Sequence, residues 1–258
     1  MNAHERHERI IQAVAQNKTI SVRRAMDLTG ASEITIRRDF TRLAENGTVE
    51  RFHGGIGRPA GEKMSPFAFR QIRFSEEKAA IAEQAARLLN PGDVLFVDGG
   101  TTTCHLAGCM PDIPLSIFTN SLRFVEALET RQHGKNRQEI HLTGGLLYPK
   151  SGLLVGTGAL QGLRQYHADW AFISASGITE EGLYNTNERV VEAERIMISN
   201  SDKVAVLADH SKIGKHAMCA ICELEQIDTL ITDADPKRST LLPSLEKAGI
   251  TVLHTGTA

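Results

Sequence analysis

No apolar run in these 258 residues approaches the ~20 residues that a membrane-spanning helix needs. The first ten residues, MNAHERHERI, are charged and lack the apolar stretch of a secretion signal, so no signal peptide is expected. Four cysteines are too few for a disulfide scaffold in a chain of this length, which points to a reducing cytoplasm. Cys219 and Cys222 form a C-x-x-C, but Cys104 and Cys109 are spaced five apart and no His-rich set accompanies them. In an extended strand Cys219 and Cys222 face opposite ways, whereas a redox pair should open a helix, so all four read as structural. No Gly-x-Ser-x-Gly is present, and no Gly-Lys-Ser/Thr follows Gly99-Gly100, which excludes a nucleophile elbow and a Walker loop. None of the ten histidines falls in a recognisable triad, and His210 reads as a hydrogen-bonded loop residue. The single Trp170 reads as a core residue just before a strand.

What is present is ordinary for a globular chain: 41% hydrophobic and 23% charged residues. The net charge of −2 is unevenly spread. Residues 1–59 hold ten Lys/Arg against seven Asp/Glu, a net of +3; the remaining 19 basic and 24 acidic residues give −5. The basic end is the one suited to a polyanion.

The N-terminal segment reads as three helices and a small wing. Ile10, Ile11 and Val14 make one stripe of a helix from about Glu5 to Gln16. Ser21 caps a second helix carrying Val22, Ala25, Met26 and Leu28, and Gly30 stops it. Ser32 caps a third, running to about Glu45 and ending at Asn46-Gly47. Thr48 to His53 alternates weakly and ends in Gly54-Gly55. The Gly/Pro-rich stretch from 54 to 66 marks a boundary: domain 1–57, linker 58–74, domain 75–258. Beyond it, Ser75 to Leu89 reads as helix. The runs VLFVD, LSIFTN, EIHLTG, WAFISA, KVAVLAD, TLITD and TVLHT read as strands, with helices around 101–109, 121–132, 188–200 and 239–248 between them. Strand alternating with helix argues for a parallel α/β sheet. Gly156-Thr157-Gly158 reads as a plain turn into a helix.

On a wheel of the third helix, Ile36, Phe40 and Leu43 make the buried stripe. Arg38 and Arg42 fall on the opposite side, with Ile34, Thr35 and Thr41 around them and Arg37 on a flank. A short helix, a Gly turn and this helix make a helix-turn-helix, whose second helix enters the major groove. Arg suits bidentate contact with guanine, Ile34 suits a thymine methyl, and Arg51 and His53 on the wing add phosphate contacts. EITIRRDFTRLAENGTVERFHGG, within a match from about Glu5 to Gly55, closely resembles the winged helix-turn-helix of the DeoR family of bacterial sugar-metabolism regulators. The resemblance implies that Thr35, Arg37 and Arg38 lie at the DNA, with Ser32, Ile34, Arg42, Arg51 and His53 completing the surface.

VLFVDGGTTTCHLA, residues 94–107, is strand, loop and helix. Gly99 and Gly100 allow a tight turn, Thr101, Thr102 and Thr103 carry hydroxyls, and a helix N-terminus suits an anion. The residues alone fit a Thr-capped turn as well as a phosphate site. DeoR-type regulators carry a C-terminal effector domain related to ribose-5-phosphate isomerase and CoA-transferase-like folds, with an Asp-x-Gly-Thr-Thr segment that Asp98 to Thr103 resembles. Further resemblances are Thr119-Asn120-Ser121, Thr143-Gly144-Gly145, ISASGI with Gly177, Glu192 at a helix opening, and ADHSKIGK with Asp209 and Lys212. Such loops at the carboxyl ends of parallel strands converge on one crevice. The resemblance implies that Lys212 supplies charge for a sugar phosphate, that Asp98, Asn120 and Asp209 bond its hydroxyls, and that Ser121 lies in the same site. The run Leu146-Leu147-Tyr148-Pro149-Lys150 departs from the family's polar pattern and bears on ligand choice.

Together these residues imply a DNA-binding transcriptional regulator, a repressor of carbohydrate catabolism released by a phosphorylated sugar and acting as a homodimer or homotetramer, without metal or cofactor or catalytic residues. The rival is a sugar-phosphate isomerase with an added N-terminal domain, in which Asp98, Asp209, Glu192 and Lys212 supply acid/base groups.

Overall fold

Residues 1–45, 49–58, 67–130, 138–149 and 151–255 are described by a computed structural model. The chain forms two compact units, divided between Ser75 and Glu76. The first contains α1 (Ala3–Asn17), β1 (Thr19–Ser21), α2 (Val22–Thr29), α3 (Glu33–Glu45), β2 (Glu50–Phe52), β3 (Gly55–Gly57) and α4 (Phe67–Ile72). Its termini follow the capping chemistry. The Ser21 hydroxyl accepts from Arg24 N, and Gly30 ends α2 in the left-handed region at φ 69°. Ile10, Val14, Ala25, Ile36, Phe40, Leu43 and Ile56 pack into one core. Leu28, expected on the buried stripe of α2, is partly exposed; Thr29 is buried instead and donates to Ala25 O at 2.7 Å.

Three short strands make an antiparallel sheet in the order β1-β3-β2. A Cβ on Gly55 would lie 2.4 Å from Ile20 O, so this position is closed to any side chain. Within the stretch 58–74 expected as linker, α4 packs on α1 and buries Phe69 in the core. The apolar spacing of Phe67 and Phe69 is too short to declare a helix in the sequence. The Asn46-Gly47 stop, linker residues 59–66 and Lys150 lie outside the described residues.

Asp39, in the middle of the TIRRD segment, is buried and faces α1 rather than solvent. Arg6 donates to it through Nε and Nη2, and His7 Nε2 lies 2.8 Å from Oδ1. Burial pushes the Asp39 carboxyl up, but the Arg6 and His7 bonds and charges outweigh it and hold the carboxyl below its ordinary value. α3 is therefore locked to α1 by charge on one side and by Ile36 and Phe40 on the other.

The second unit contains α5 (Ser75–Ala86), β4 (Val94–Val97), α6 (Thr101–Cys109), β5 (Leu115–Thr119), α7 (Leu122–Glu129), β6 (Gln138–Leu142), β7 (Leu146–Tyr148), β8 (Leu153–Val155), α8 (Thr157–Arg164) and β9 (Ala168–Ser174). It continues with β10 (Gly177–Thr179), β11 (Gly182–Asn185), α9 (Glu188–Ser199), β12 (Ser201–Leu207), β13 (Cys219–Cys222), β14 (Thr229–Thr232), α10 (Leu241–Lys247) and β15 (Thr251–His254). All seven strands expected from the apolar runs join one parallel sheet, in the order β15-β14-β12-β9-β4-β5-β6. The inner strands are continuous apolar runs because both their faces are covered, while β6 at one edge is largely exposed. Trp170 lies inside β9, half-buried, rather than in the core before it. Two smaller sheets, β10-β11-β13 and the β7-β8 hairpin, lie outside the parallel sheet. Cys219 and Cys222 sit on β13, a strand and not a helix start. No helix among the described residues is long and apolar enough to cross a membrane.

Asp39→Asn should destabilise the first unit by about 2–4 kcal/mol, because it strips charge from a buried, doubly bonded carboxylate. The folded carboxyl is depressed, so its contribution is full above the unfolded value of about 4 and disappears as pH falls through the folded one. Hydrogen exchange of the α1 and α3 amides in the full chain should accelerate in the variant at pH 7, and the difference from wild type should shrink on acidification.

Candidate functional site

Two surfaces bring together the residues that the sequence singles out. The first is the outer face of α3. Ile34 is 79% exposed, an unusual solvation for a large apolar side chain. Arg38 and Arg42 are exposed beside it. Arg37 is exposed too, but its guanidinium is held by Glu33 one turn back, Nε to Oε1 at 2.8 Å. The Ser32 and Thr35 hydroxyls lie 2.9 Å apart at the start of the helix. From the wing, Arg51 Nη1 donates to Thr41 Oγ1 at 2.8 Å, and Thr41 donates in turn to Arg37 O. His53 is exposed at the turn between β2 and β3. The result is a ridge of cations, hydroxyls and one apolar side chain, fixed by the buried face behind it.

The second surface lies at the carboxyl ends of the parallel strands. Chain order runs outward from β4 through β5 to β6, then restarts on the other side with β9, β12, β14 and β15. The switch point is between β4 and β9, where crevices open in such sheets. Asp98 follows β4 and bridges that junction: Oδ2 accepts from Ser174 N at 3.1 Å and from the Ser174 hydroxyl, while Oδ1 accepts from Gly99 N. Burial raises the Asp98 carboxyl above its ordinary value, and these donors oppose the rise. Both oxygens are thus engaged within the protein, and Asp98 serves as a clamp between the two strands.

Gly99 and Gly100 are required by space. A Cβ on Gly99 would lie 2.0 Å from Leu153 Cδ2, and one on Gly100 would lie 1.7 Å from Ser174 Oγ. Thr101, Thr102 and Thr103 are all buried, and the Thr103 hydroxyl donates to Gly100 O at 3.0 Å. What the Thr103 bond leaves to a ligand is the N-terminal backbone of α6 and the hydroxyls of Thr101 and Thr102. The Ser121 hydroxyl caps α7 by accepting from Phe124 N. Asn120 is buried at the end of β5; its Nδ2 donates to Leu154 O at 3.2 Å, and its Oδ1 has no partner. Beside it at the end of β6, Thr143 N donates to Thr119 O, and the buried Thr143 Oγ1 also lacks a partner. Gly144 is open, whereas Gly145, at φ 118°, packs on Val155 O and Ala159 N.

The loops after β9 and β12 meet next. A Cβ on Gly177 would lie 2.0 Å from Lys215 O, so Gly177 serves close packing. Asp209 is buried after β12 and accepts from Ser211 N at 3.0 Å, organising the turn that carries the half-buried Lys212. His210 Nδ1 pairs with Asp233 after β14. Glu192 does not belong here: it is exposed on α9. The buried acid is Glu194, on the stripe with Val190, Val191, Met197 and Ile198. Its carboxyl is raised well above its ordinary value, first by burial and then by Asp98. The wheel locates it: 194 is spaced three or four from Val190, Val191, Met197 and Ile198, whereas 192 has that spacing only to Ile196. A separate cleft of about 430 Å³, lined by Glu83, Ala86, Arg87, Gly108, Cys109 and Pro111, lies at the opposite ends of α5 and α6 and shares none of these groups. No cluster of His, Cys, Asp and Glu that could hold a metal occurs among the described residues.

Comparison with known proteins meets both surfaces. Residues 6–60 match the DeoR-like helix-turn-helix domain, and residues 73–234 match the DeoR C terminal sensor domain. The chain is 32% identical over 243 residues to the glycerol-3-phosphate regulon repressor of Escherichia coli, covering 93% of this chain and 95% of that one. It is likewise 32% identical over 256 residues to the transcriptional repressor GlcR of Bacillus subtilis, covering 99% and 97%. Among solved structures, ribose 5-phosphate isomerase A of Methanocaldococcus jannaschii aligns with a TM-score of 0.39 at 17% identity, over 54% of this chain and 55% of that one. The fold assignment itself rests on the strand order.

Gly100→Ala should destabilise the second unit by about 1–3 kcal/mol, because the new methyl overlaps Ser174. Gly144→Ala, with nothing within 4 Å of the added Cβ, should change stability by less than about 1 kcal/mol. Denaturant titration of both variants separates the packing glycine from the open one.

Proposed function

Because the chain belongs to the DeoR family of helix-turn-helix regulators, we propose that it is a repressor of carbohydrate-catabolism genes whose hold on its operator is governed by a phosphorylated sugar. The observation that carries the DNA half is the outer face of α3. An exposed Ile34 flanked by Arg38 and Arg42 is poor design for a solvated surface and good design for a major groove. In this reading Arg38 reads a base edge, Ile34 and Thr35 meet the neighbouring bases, and Ser32, Arg42, Arg51 and His53 hold phosphates. Arg37 reaches a phosphate only by leaving Glu33, so it contributes grip more than selectivity.

The effector lies across the carboxyl ends of the strands. Its phosphate takes the N-terminal amides of α6 behind Gly99 and Gly100, with Lys212 as the cation. Its hydroxyls take the unpartnered oxygens of Asn120 and Thr143. The names of two relatives, a glycerol-3-phosphate regulon repressor and a repressor, support this direction of control. A helix-turn-helix reader binds repeated half-sites, so the working form is a homodimer or homotetramer in the cytoplasm. The C-terminal domain binds its ligand without turning it over.

Selection of genomic fragments by the purified protein at near-physiological salt should enrich discrete sites upstream of sugar-utilisation genes. On the recovered operator, Arg38→Ala should weaken binding by ~1–3 kcal/mol and relax one base position. Arg42→Ala should weaken it on all sequences alike and reduce the salt slope by about one. Equal binding by all three proteins, measured by fluorescence anisotropy, would remove α3 from the interface.

A further inference from the structure

Glu194 is the buried group that the effector reading leaves unused. Oε1 accepts from Asn185 Nδ2 at 2.6 Å, and the equally buried Oε2 has no partner. Asn185 is itself fixed, since its Oδ1 accepts from Thr186 N at 2.7 Å. An ionised carboxylate wants donors on both oxygens. A neutral carboxylic acid wants one donor at its carbonyl oxygen and one acceptor for its O–H. Glu194 has the first and lacks the second.

The neighbour decides which form is present. Asp98 lies close enough to repel a charge on Glu194. Two such buried carboxyls do not both ionise. Asp98 is given three donors, two from Ser174 and one from Gly99, whereas Glu194 is given one amide. The charge therefore rests on Asp98 and the proton on Glu194. Burial and Asp98 both push the Glu194 carboxyl upward, in agreement. From β13, Cys222 is the other ionisable group that interacts with Glu194; its thiol is pushed up to about 12, mainly by burial, and stays neutral. Arg195, next along α9, points away to the carbonyls of Ala220 and Ile221.

A buried hydroxyl proton without an acceptor costs free energy in the empty protein. We infer that Glu194 is a specificity-determining residue of the effector site, a carboxylic acid whose Oε2–H donates to an oxygen of the bound sugar phosphate, with Asn185 holding its orientation. This rests on the effector reading above. It adds a donor beside the acceptor Oδ1 of Asn120 and the Thr143 hydroxyl, which can do either. It also makes binding of an anionic ligand weaken when Glu194 loses its proton.

The test compares the full chain with Glu194→Gln and Glu194→Ala in two ways. Gln keeps the neutral acid's pattern, an acceptor for Asn185 and a donor for the ligand. The first measurement is the thermal midpoint from pH 5 to 8.5. The folded carboxyl is raised, so its contribution is full below the unfolded value of about 4.3 and declines as pH rises toward the folded one. Wild type should therefore lose ground to Glu194→Gln steadily with pH. A constant gap overturns the proposal. The second is release of a labelled operator by glucose 6-phosphate, glycerol 3-phosphate, ribose 5-phosphate, fructose 1-phosphate and glucosamine 6-phosphate. The probe that releases wild type should release Glu194→Gln within about threefold of the same concentration and require about tenfold more with Glu194→Ala, the loss of one hydrogen bond. Its potency on wild type should fall at alkaline pH more than on Glu194→Gln. If Gln is as impaired as Ala, the group acts as an ionised acceptor; if both match wild type, it is only structural; either result overturns the proposal. If no probe releases wild type, the effector reading falls and takes the contact with it, which differs from the result in which release occurs and only the Glu194 variants disagree.

Discussion

The bond between Asp98 and Ser174 is the constraint on which the sensor unit depends. It ties the end of β4 to the end of β9, the two strands between which chain order reverses. At that junction a parallel sheet splays its loops, and the side-chain tie extends the β4–β9 ladder into the crevice. The tie determines its surroundings. Gly100 can carry no side chain because Ser174 occupies the space, and Gly99 can carry none because Leu153 does. The β7-β8 hairpin is drawn over the strand ends in the same way, with Leu154 N donating to Asn120 O and Leu153 bridging to Ser121. A carboxylate used as a clamp is a poor ligand contact. It is nonetheless what makes neighbouring groups into contacts, because it fixes them in place and holds the local negative charge.

The reader unit is organised by the same device. Asp39 is the buried carboxylate, Arg6 and His7 are its donors, and the consequence is a fixed α3. Arg37, Arg38 and Asp39 are consecutive, yet they face three directions: one is paired with Glu33, one is open to solvent and one is buried. A helix rotates 100° per residue, so adjacent charges need not share a task. Two like charges in a row look redundant in the sequence; on the helix one is paired with Glu33 and the other is open to solvent.

The sequence made the large elements legible for a physical reason. The inner strands read as uninterrupted apolar runs because the sheet is covered on both faces there, and all seven expected strands, the exposed edge strand β6 included, are present. The caps at Ser21 and Gly30 were legible because their chemistry is local. The three-residue strands β1, β7, β8 and β10 and the six-residue helix α4 were not: they have no room for a period and form only because tertiary partners complete them. Among the site residues, Asp98 and Gly99–Gly100 were legible as a loop but not as a clamp, since Ser174 lies 76 positions away. The resemblance pointed to Glu192, which is exposed on α9, and gave no hint of the buried Glu194. The helical period would have chosen correctly, because Glu194 falls with Val190, Val191 and Met197.

A switch requires that ligand distinguish two states by free energy, and the site contains a source for that difference. Asn120 Oδ1, Thr143 Oγ1 and Glu194 Oε2 are buried without partners. Each unmet group costs on the order of 1–3 kcal/mol in the empty protein, so the three together rival a typical coupling energy. The sheet tolerates them because its own core is saturated: Phe96, Ala171, Phe172, Ile173 and Val206 are fully buried around the switch point. In the proposed effector reading, a ligand that satisfies these atoms stabilises the arrangement of loops that presents them. Any arrangement that parts them gains no such stabilisation, and the imbalance is the differential affinity that a sensor needs.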